Sequence, residues 1–284
     1  MRILLMGAKG MLGRDMLRVW KSDDVIAADI EEADIRDLQQ VRELVSSSRP
    51  DWIVLTAAYT DVDGSEKNPE LVFAINASGP ENVARAANEI GARLYYVSTD
   101  YVFDGNGTRP YEPTDPIAPL NVYGASKAAG EAAVQKNAKE WCIGRTSWLF
   151  GAYGPGFPEK ILRAAETRLE LTVVDDQVGS PTFTIDLAAA ISQLLRADAR
   201  GIVHTTNSGT CSWFEFAQEV LHQAGRNSVR VVPIKSSELV RPAKRPMYSI
   251  LSPASLHRYA IRLRDWKEAV TEYLQDLRRV GKLS

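Results

Sequence analysis

The chain is poor in the residues that build disulfide frameworks and metal centres. It has two cysteines, Cys142 and Cys211, and three histidines, His204, His222 and His257, among 284 residues. Two cysteines do not make a disulfide-built fold and fit a reducing compartment. The histidines are scattered, without metal-ligand spacing, so no metal site is expected. No apolar run approaches the roughly 18 residues that a membrane span needs. The opening Arg2-Ile3-Leu4-Leu5-Met6 runs straight into glycine, too short for the apolar core of an export signal. An excess of charge is also missing: 34 basic against 36 acidic residues leave a net charge of -2. That balance gives no reason to expect nucleic acid or an anionic membrane as partner. Internal repeats and low-complexity tracts are absent. What remains is the composition of an ordinary globular protein, expected in the cytoplasm and long enough for one large domain or two moderate ones.

The first half alternates short β-rich runs with helical patterns. Residues 2–6, 25–28, 52–55, 94–97 and 141–144 read as strands. Residues 11–20, 38–46, 69–89 (broken at Gly79-Pro80) and 123–137 read as helices. This alternation predicts βαβ units, a parallel sheet and, through right-handed crossovers, a doubly wound α/β fold of the Rossmann type. The second half alternates less cleanly. Residues 171–174 and 202–205 look like strands, and 185–195 and 213–223 like helices. We expect a dinucleotide-binding domain over 1–150 and a smaller α/β substrate domain over 151–284, with some later segments returning to the first. Pro110, Pro113, Pro116 and Pro119 exclude helix and central strand from the stretch 103–119. A loop this long, joining the strand end at Thr99 to the helix at Tyr123, is expected to wall an active site.

Gly7, Gly10 and Gly13 follow the first strand and open the first helix, spaced GxxGxxG. One glycine allows a tight turn, one lets the backbone approach a pyrophosphate, and one lets helix and sheet pack closely. The phosphates then meet the positive helix N-terminus. A glycine triplet alone is weak evidence, and the strand-turn-helix setting strengthens it. Asp29, ending the second strand, stands where it can accept hydrogen bonds from an adenosine ribose. Its charge would repel a 2′-phosphate and leans towards NADH, while Lys9, Arg14 and Arg36 offset it, so NADH and NADPH both stay open. Asp34 and Ile35 fall where an adenine could sit between loops. Ala57, Ala58, Tyr59 and Thr60 follow the third strand, at the carboxyl edge where open α/β sheets bind ligands. Close sheet-helix packing would also want those alanines.

Tyr123 and Lys127 stand four residues apart in Tyr123-Gly-Ala-Ser-Lys127, so on a helix they share a face. There the ammonium would favour the ionised phenol, whose ordinary pKa is about 10. A tyrosine tuned in this way gives or takes a proton near neutral pH. Ser98-Thr99-Asp100 ends the fourth strand at the same carboxyl edge. The Thr99 hydroxyl could hydrogen-bond a substrate oxygen that Tyr123 also touches. A turn cap would explain the triplet alone. With Tyr123 and Lys127 downstream, Thr99, Tyr123 and Lys127 read as the catalytic set of an enzyme moving a hydride between a nicotinamide and a carbonyl or alcohol.

The segments GAKGMLG, RPDWIVLTAAYTDVD, INASGPENVARAAN, YVSTDYVFDG, PLNVYGASKAAGE, RTSWLFG, DDQVGSPTFTIDLA and RPAKRPMYSIL span nearly the whole chain. Through them it resembles the extended short-chain dehydrogenase/reductases, and within them the dTDP-4-dehydrorhamnose reductases. YVSTDYVFDG with PLNVYGASK is quite specific, and RTSWLFG and DQVGSPT lead away from the sugar epimerases and dehydratases. The resemblance implies NAD(P)H-dependent reduction of the C4 carbonyl of dTDP-4-dehydro-L-rhamnose to dTDP-L-rhamnose, a precursor of cell-surface polysaccharide. It implies cofactor contacts from Gly10, Met11, Leu12, Asp29, Asp34, Ile35, Ala58, Tyr59, Thr60, Tyr123 and Lys127. It implies contacts to the dTDP-sugar from Thr99, Asp100, Tyr123 and Trp148, with Arg241, Lys244 or Arg245 taking the diphosphate. Some relatives are described as magnesium-linked dimers that use acidic residues. Asp15 matches one acidic position, but Ile185 stands where a carboxylate is expected beside Asp186. No bridging metal is therefore expected, and a homodimer is left open. The alternatives are a reductase of another 4-keto-6-deoxy nucleotide sugar and a non-catalytic dinucleotide-binding regulatory subunit of the same fold. The intact Thr99, Tyr123 and Lys127 speak against the second, since a binding module needs no proton donor.

Overall fold

Ile3 and Leu5 of the first strand pack into one apolar layer and Leu4 and Met6 into another, and all four are buried. Successive side chains of a strand point to opposite faces, so an unbroken apolar run marks a strand covered on both sides. The computed structural model describes residues 1–283 and builds its main sheet around this strand. The strands are β1 (Arg2–Met6), β2 (Asp24–Ala28), β3 (Trp52–Leu55), β4 (Arg93–Thr99), β5 (Trp141–Thr146) and β6 (Gly201–His204). All are parallel, in the spatial order β6-β5-β4-β3-β1-β2. The doubly wound α/β fold read from the alternation is the one adopted. Strand order reverses between β1 and β3, and at such a switch point the carboxyl ends of the strands open a crevice.

The covering helices are α1 (Met11–Val19), α2 (Leu38–Ser48), α3 (Gly79–Ile90), α4 (Val122–Asn137) and α5 (Thr184–Arg196). Leu12 and Met16 of α1 pack with Leu187, Ile191 and Leu194 of α5 on the layer that holds Ile3 and Leu5. Val41 and Val45 of α2, Val83 and Ala87 of α3 and Val134 of α4 cover Leu4 and Met6. Each large apolar side chain so buried contributes about 1.5–3 kcal/mol. Asp37 caps α2 by accepting from the N–H groups of Gln39 and Gln40.

Two expectations are corrected. The stretch 69–89 does not break at Gly79-Pro80. Helix Pro69–Phe73 passes through a π-helical turn, Ala74–Ser78, directly into α3. Pro80 sits in the first turn of α3, and the widened turn before it absorbs the hydrogen bond that proline cannot donate. The loop 103–119 is free of long elements, as its prolines dictate, but it does not wall the cleft described below. Phe103 and Tyr111 stack with centroids 4.2 Å apart and bury together with Leu251. Single β-bridges, Asn106 to Tyr248 and Tyr111 to Leu251, fasten the loop to the later chain. Burying two aromatic rings outweighs any tendency of the loop to turn towards the crevice.

Beyond residue 150 a second cluster forms around Phe150, Phe183, Phe216, Trp266 and Tyr273. Helices Phe157–Ala164, Trp213–Gln223 and Trp266–Arg279 and the parallel strand pair Glu170–Val174 and Arg230–Ile234 belong to this part. β6 returns from it to the main sheet, pairing with β5 from Gly201 opposite Cys142 to His204 opposite Arg145. No helix among the described residues is long and apolar enough to cross a membrane.

Candidate active site

The carboxyl ends of β1, β3 and β4 and the first turns of α4 line a cleft of about 1030 Å³. Gly7 turns the chain out of β1 with φ +95°, and a Cβ there would stand 2.5 Å from the Ala57 nitrogen. Only glycine lets the ends of β1 and β3 meet so closely. Gly10 is the N-cap of α1, and it lines the cleft with Gly7, Met11, Leu12 and Gly13. No side chain caps this helix, and its first turn holds no acid. Its positive end is left for a ligand anion.

Asp29 lines the cleft next to this turn. It accepts the Lys9 N–H at 2.8 Å and the Ile30 N–H at 2.9 Å, which fixes the carboxylate. Lys9 pairs with Glu31 at 2.8 Å. Arg36 forks onto Asp34 at 2.9 and 2.5 Å and holds that carboxyl below the usual range. Ile35 is buried, and Asp34, Ile35, Ala57, Ala58 and Thr60 all line the cleft. Tyr59 does not. Its peptide N–H and carbonyl are both taken by the Asn76 side chain, at 2.8 and 3.0 Å. Asn76 also donates to the Ser126 hydroxyl at 3.0 Å, and Ser126 donates to the Tyr123 carbonyl at 2.7 Å. The π-helical turn thus aims a buried amide that ties the loop after β3 to α4. Sequence reasoning missed Asn76, whose only signal is a polar residue inside INASGP.

Thr99 is the last residue of β4, and its hydroxyl donates to Asp100 at 3.0 Å. Asn121 caps α4 by accepting the Gly124 N–H at 2.7 Å. A Cβ on Gly124 would collide with the Tyr101 carbonyl oxygen, so glycine lets α4 start against the turn that follows β4. Tyr123 and Lys127 then line the same cleft as Thr99, and the Tyr123 ring meets Tyr101 edge-on with centroids 5.6 Å apart.

The electrostatics correct the spacing argument. Burial pushes the Tyr123 phenol up to about 12, the Thr99 hydroxyl pulls it back, and the Asp100 charge adds to the rise. Burial pulls Lys127 down to about 7, opposed by the charge of Glu131. The ammonium donates to the Val97 carbonyl at 2.7 Å and lies 4.1 Å from the centre of the Tyr96 ring. The lysine therefore does not make the phenol acidic here, because desolvation outweighs the neighbouring charge. Asp100 is raised to about 7 by burial, with the Ser249 and Thr99 hydroxyls pulling it back.

Trp148 also lines the cleft, with a left-handed backbone, φ +48°. A bulky residue there costs about 1–3 kcal/mol, which its surroundings must offset. Its ring stacks on Trp213 with centroids 3.5 Å apart and planes 6° apart, and Phe157 tilts against Trp213 at 4.5 Å. Trp213 and Phe157 were missed because neither stands in a local motif. Arg241, Lys244 and Arg245 do not line the cleft. Arg245 forks onto Asp63 at 2.7 and 2.9 Å, and the Lys244 carbonyl accepts from Asn121 at 2.7 Å. Burial raises the phenol of Tyr101, which lines the cleft, and the charges of Arg245 and Arg241 pull it back. Asp15 lies outside the cleft, accepting from Thr184 at 2.5 Å and from Arg18 at 2.7 Å. Ile185 packs against the second cluster, and Asp186 is forked by Arg264 at 2.9 and 2.8 Å.

A glycine cradle, an uncapped helix start, a fixed carboxylate and a small-residue strand edge suit an extended nucleotide with a diphosphate. The class is a dinucleotide-binding α/β protein of the Rossmann type. The RmlD substrate binding domain family matches residues 1–279, and the chain belongs to it. It is 40% identical over 277 residues to the spore coat polysaccharide biosynthesis protein SpsK of Bacillus subtilis, covering 97% of each chain. It is 41% identical over 280 residues to the dTDP-4-dehydrorhamnose reductase of Streptomyces griseus, covering 95% of this chain and 92% of that one. The crystal structure of dTDP-4-dehydrorhamnose reductase from Bacillus anthracis in complex with NADP superposes with a TM-score of 0.93 at 38% identity, covering 97% of this chain and 99% of that one.

Proposed function

We infer that the chain is an NAD(P)H-dependent oxidoreductase that reduces the C4 carbonyl of dTDP-4-dehydro-L-rhamnose to dTDP-L-rhamnose. The observation that carries this reading is a single cleft shared by the glycine turn and by Thr99, Tyr123 and Lys127. The names of the family relatives point the same way. NAD(P)H, when bound, supplies the hydride. Gly7, Gly10, Met11, Leu12 and Gly13 hold its pyrophosphate against the start of α1, and Asp29 holds the adenosine ribose. Asp34 and Ile35 flank the adenine, and Ala57, Ala58 and Thr60 border its path along the sheet.

Tyr123 is the proton donor. A phenol held at about 12 keeps its proton at neutral pH, which is the form that reduction requires. It gives that proton to the oxygen at C4, and the Thr99 hydroxyl hydrogen-bonds the same oxygen. The phenolate left behind is costly in a buried site, and the Lys127 ammonium offsets that cost most where the negative charge is developing. Lys127 also orients the nicotinamide ribose. Asp100, Trp148 and its stacked partner Trp213 hold the sugar, and Arg241 and Arg245 meet the diphosphate at the rim. In this reading residues 1–150 bind the dinucleotide and 151–284 supply most of the sugar wall. The protein works in the cytoplasm on a dTDP-sugar, with no nucleic-acid partner and a homodimer left open.

The test is a panel of dTDP-, UDP- and GDP-linked 4-keto-6-deoxy sugars with both reduced cofactors, each product examined by NMR. Highest kcat/KM with dTDP-4-dehydro-L-rhamnose and an L-rhamno product are expected. Preference for another nucleotide or sugar favours a related reductase. Cofactor binding without turnover, together with tight capture of another protein, overturns the enzymatic reading.

A further inference from the structure

Glu131 lies one helical turn beyond Lys127 on α4 and is only 1% exposed. Both oxygens of its carboxylate are taken. One accepts from the Ser98 hydroxyl at 2.5 Å and from Arg145 Nε at 2.9 Å, the other from Arg145 Nη2 at 2.7 Å. Arg145 reaches in from β5 and is 2% exposed. It gives another N–H to the Pro113 carbonyl at 3.3 Å, and its guanidinium lies 5.0 Å from the centre of the Phe103 ring. Neither Glu131 nor Arg145 lines the cleft.

A buried ion pair is a poor way to gain stability, because desolvation cancels much of the attraction and an apolar pair of similar volume often does as well. Its position in the fold suggests another use. The pair joins α4, which carries Tyr123 and Lys127, to the end of β4, where Ser98 precedes Thr99, and to β5. It also sets a negative charge one turn from an ammonium that has no carboxylate hydrogen-bonded to it among the described residues. The other titratable or charged groups on the elements packed with Lys127 are Tyr123 on its own helix, Tyr96 on β4, Asp100 after β4, which burial raises to about 7, and Arg145 on β5. Burial pushes both phenols up, so they are neutral at neutral pH. Arg145 is spent on Glu131. Glu131 is the carboxylate whose charge raises the proton affinity of Lys127 against its burial.

We propose that Glu131, held by Arg145, is a positioning residue that ties the part of α4 carrying Lys127 to the ends of β4 and β5 and sets a negative charge one turn from the ammonium, for the reductase chemistry inferred above, on which this role rests. The charge of Glu131 offsets part of the effect of burial, so the ammonium keeps its proton to a higher pH than its dry surroundings alone would allow. The Ser98 hydroxyl adds a direct link between the carboxylate and the strand end that presents Thr99.

The test compares the wild type with two variants. Glu131→Gln/Arg145→Met removes both charges and leaves neither partner buried alone. Ser98→Ala keeps both charges and deletes one hydrogen bond. In the double variant the basic limb of the kcat profile should move down by about one pH unit or more, so turnover near pH 8 falls about tenfold while turnover near pH 6 stays within about threefold. The KM for the sugar should hold. Ser98→Ala should shift the limb in the same direction by less. A merely structural role would lower Tm and reduce activity by one factor at every pH. That result, or a wild-type profile in both variants, overturns the proposal. If the wild type turns over no keto sugar, the functional reading itself fails. The role of Glu131 is then read from NADH binding, followed by fluorescence from pH 6 to 9. Affinity lost with rising pH, but starting at a lower pH in the double variant than in the wild type, supports it, and identical pH dependence overturns it.

Discussion

The Lys127 ammonium donates to the Val97 carbonyl at 2.7 Å, while the Tyr123 phenol that shares its helix face is governed by burial instead. Spacing of i and i+4 fixes which side chains face the same way. It does not fix how much water reaches them, and the dry site drives the two groups apart. Lysine loses proton affinity and tyrosine gains it.

That burial has a cost that can be measured. Lys127 falls from its ordinary 10.5 to about 7 in the folded chain. Between those values the unfolded chain binds a proton that the folded chain refuses, so stability drops as pH falls through this window and levels off below it. Lys127→Met removes the loss. The variant should be inactive yet melt a few degrees higher at pH 7, with the advantage shrinking towards pH 10. About 1 kcal/mol shifts Tm by roughly 2–4 °C in chains somewhat shorter than this one. A lower Tm than wild type at pH 7 contradicts the assignment.

Tyr123→Phe keeps the ring against Tyr101 and deletes the proton. Turnover should fall by about 10²–10⁴, with affinity for NADH nearly unchanged. Steady-state kinetics and a fluorescence titration check the two halves. Near-wild-type turnover would remove Tyr123 from the chemistry.

His204 ends β6 at 1% exposure, edge-on to Phe103 with centroids 6.0 Å apart. Burial, and then the nearby charge of Arg145, pull it down from 6.5 to about 3. An unfolded chain takes up that proton below 6.5, so the folded state loses stability as pH falls from 6.5 towards 3. His204→Leu has nothing to titrate there. Thermal melts should find the variant within a few degrees of wild type at pH 7.5 and gaining on it steadily below pH 6. A constant gap across that range would mean that the histidine is protonated in the fold.

Trp213→Ala removes the ring that holds Trp148 in its left-handed conformation. The KM for the dTDP-sugar should rise at least tenfold, with NADH affinity unchanged, if the stacked rings hold the sugar as proposed. Stability should fall by about 2–3 kcal/mol, below the usual value for a fully buried tryptophan. A loss of NADH affinity of the same size would put this wall on the cofactor side.

Much of the frame was readable because its signals are local. The apolar run of β1, the glycines after it and the helix from Tyr123 each announce themselves within a dozen residues. Asp29, Thr99, Tyr123 and Lys127 lie together because parallel strands bring their carboxyl ends to one edge. What could not be read depends on contacts far apart in sequence. Trp213 meets Trp148, and Arg245 meets Asp63, with no periodic trace of either pairing. The loop 103–119 is turned by the stacking of Phe103 on Tyr111. The π-helical turn at Ala74–Ser78 accommodates a Gly-Pro pair that reads as a helix break.

The central claim is that this cleft delivers hydride to a sugar carbonyl. Turnover of dTDP-4-dehydro-L-rhamnose with a reduced nicotinamide deuterated at its transferable position, followed by NMR of the sugar, tests it most directly. The account expects one cofactor consumed per sugar and deuterium at C4 of dTDP-L-rhamnose. A product without deuterium at C4, or cofactor that binds and is never consumed, would contradict it.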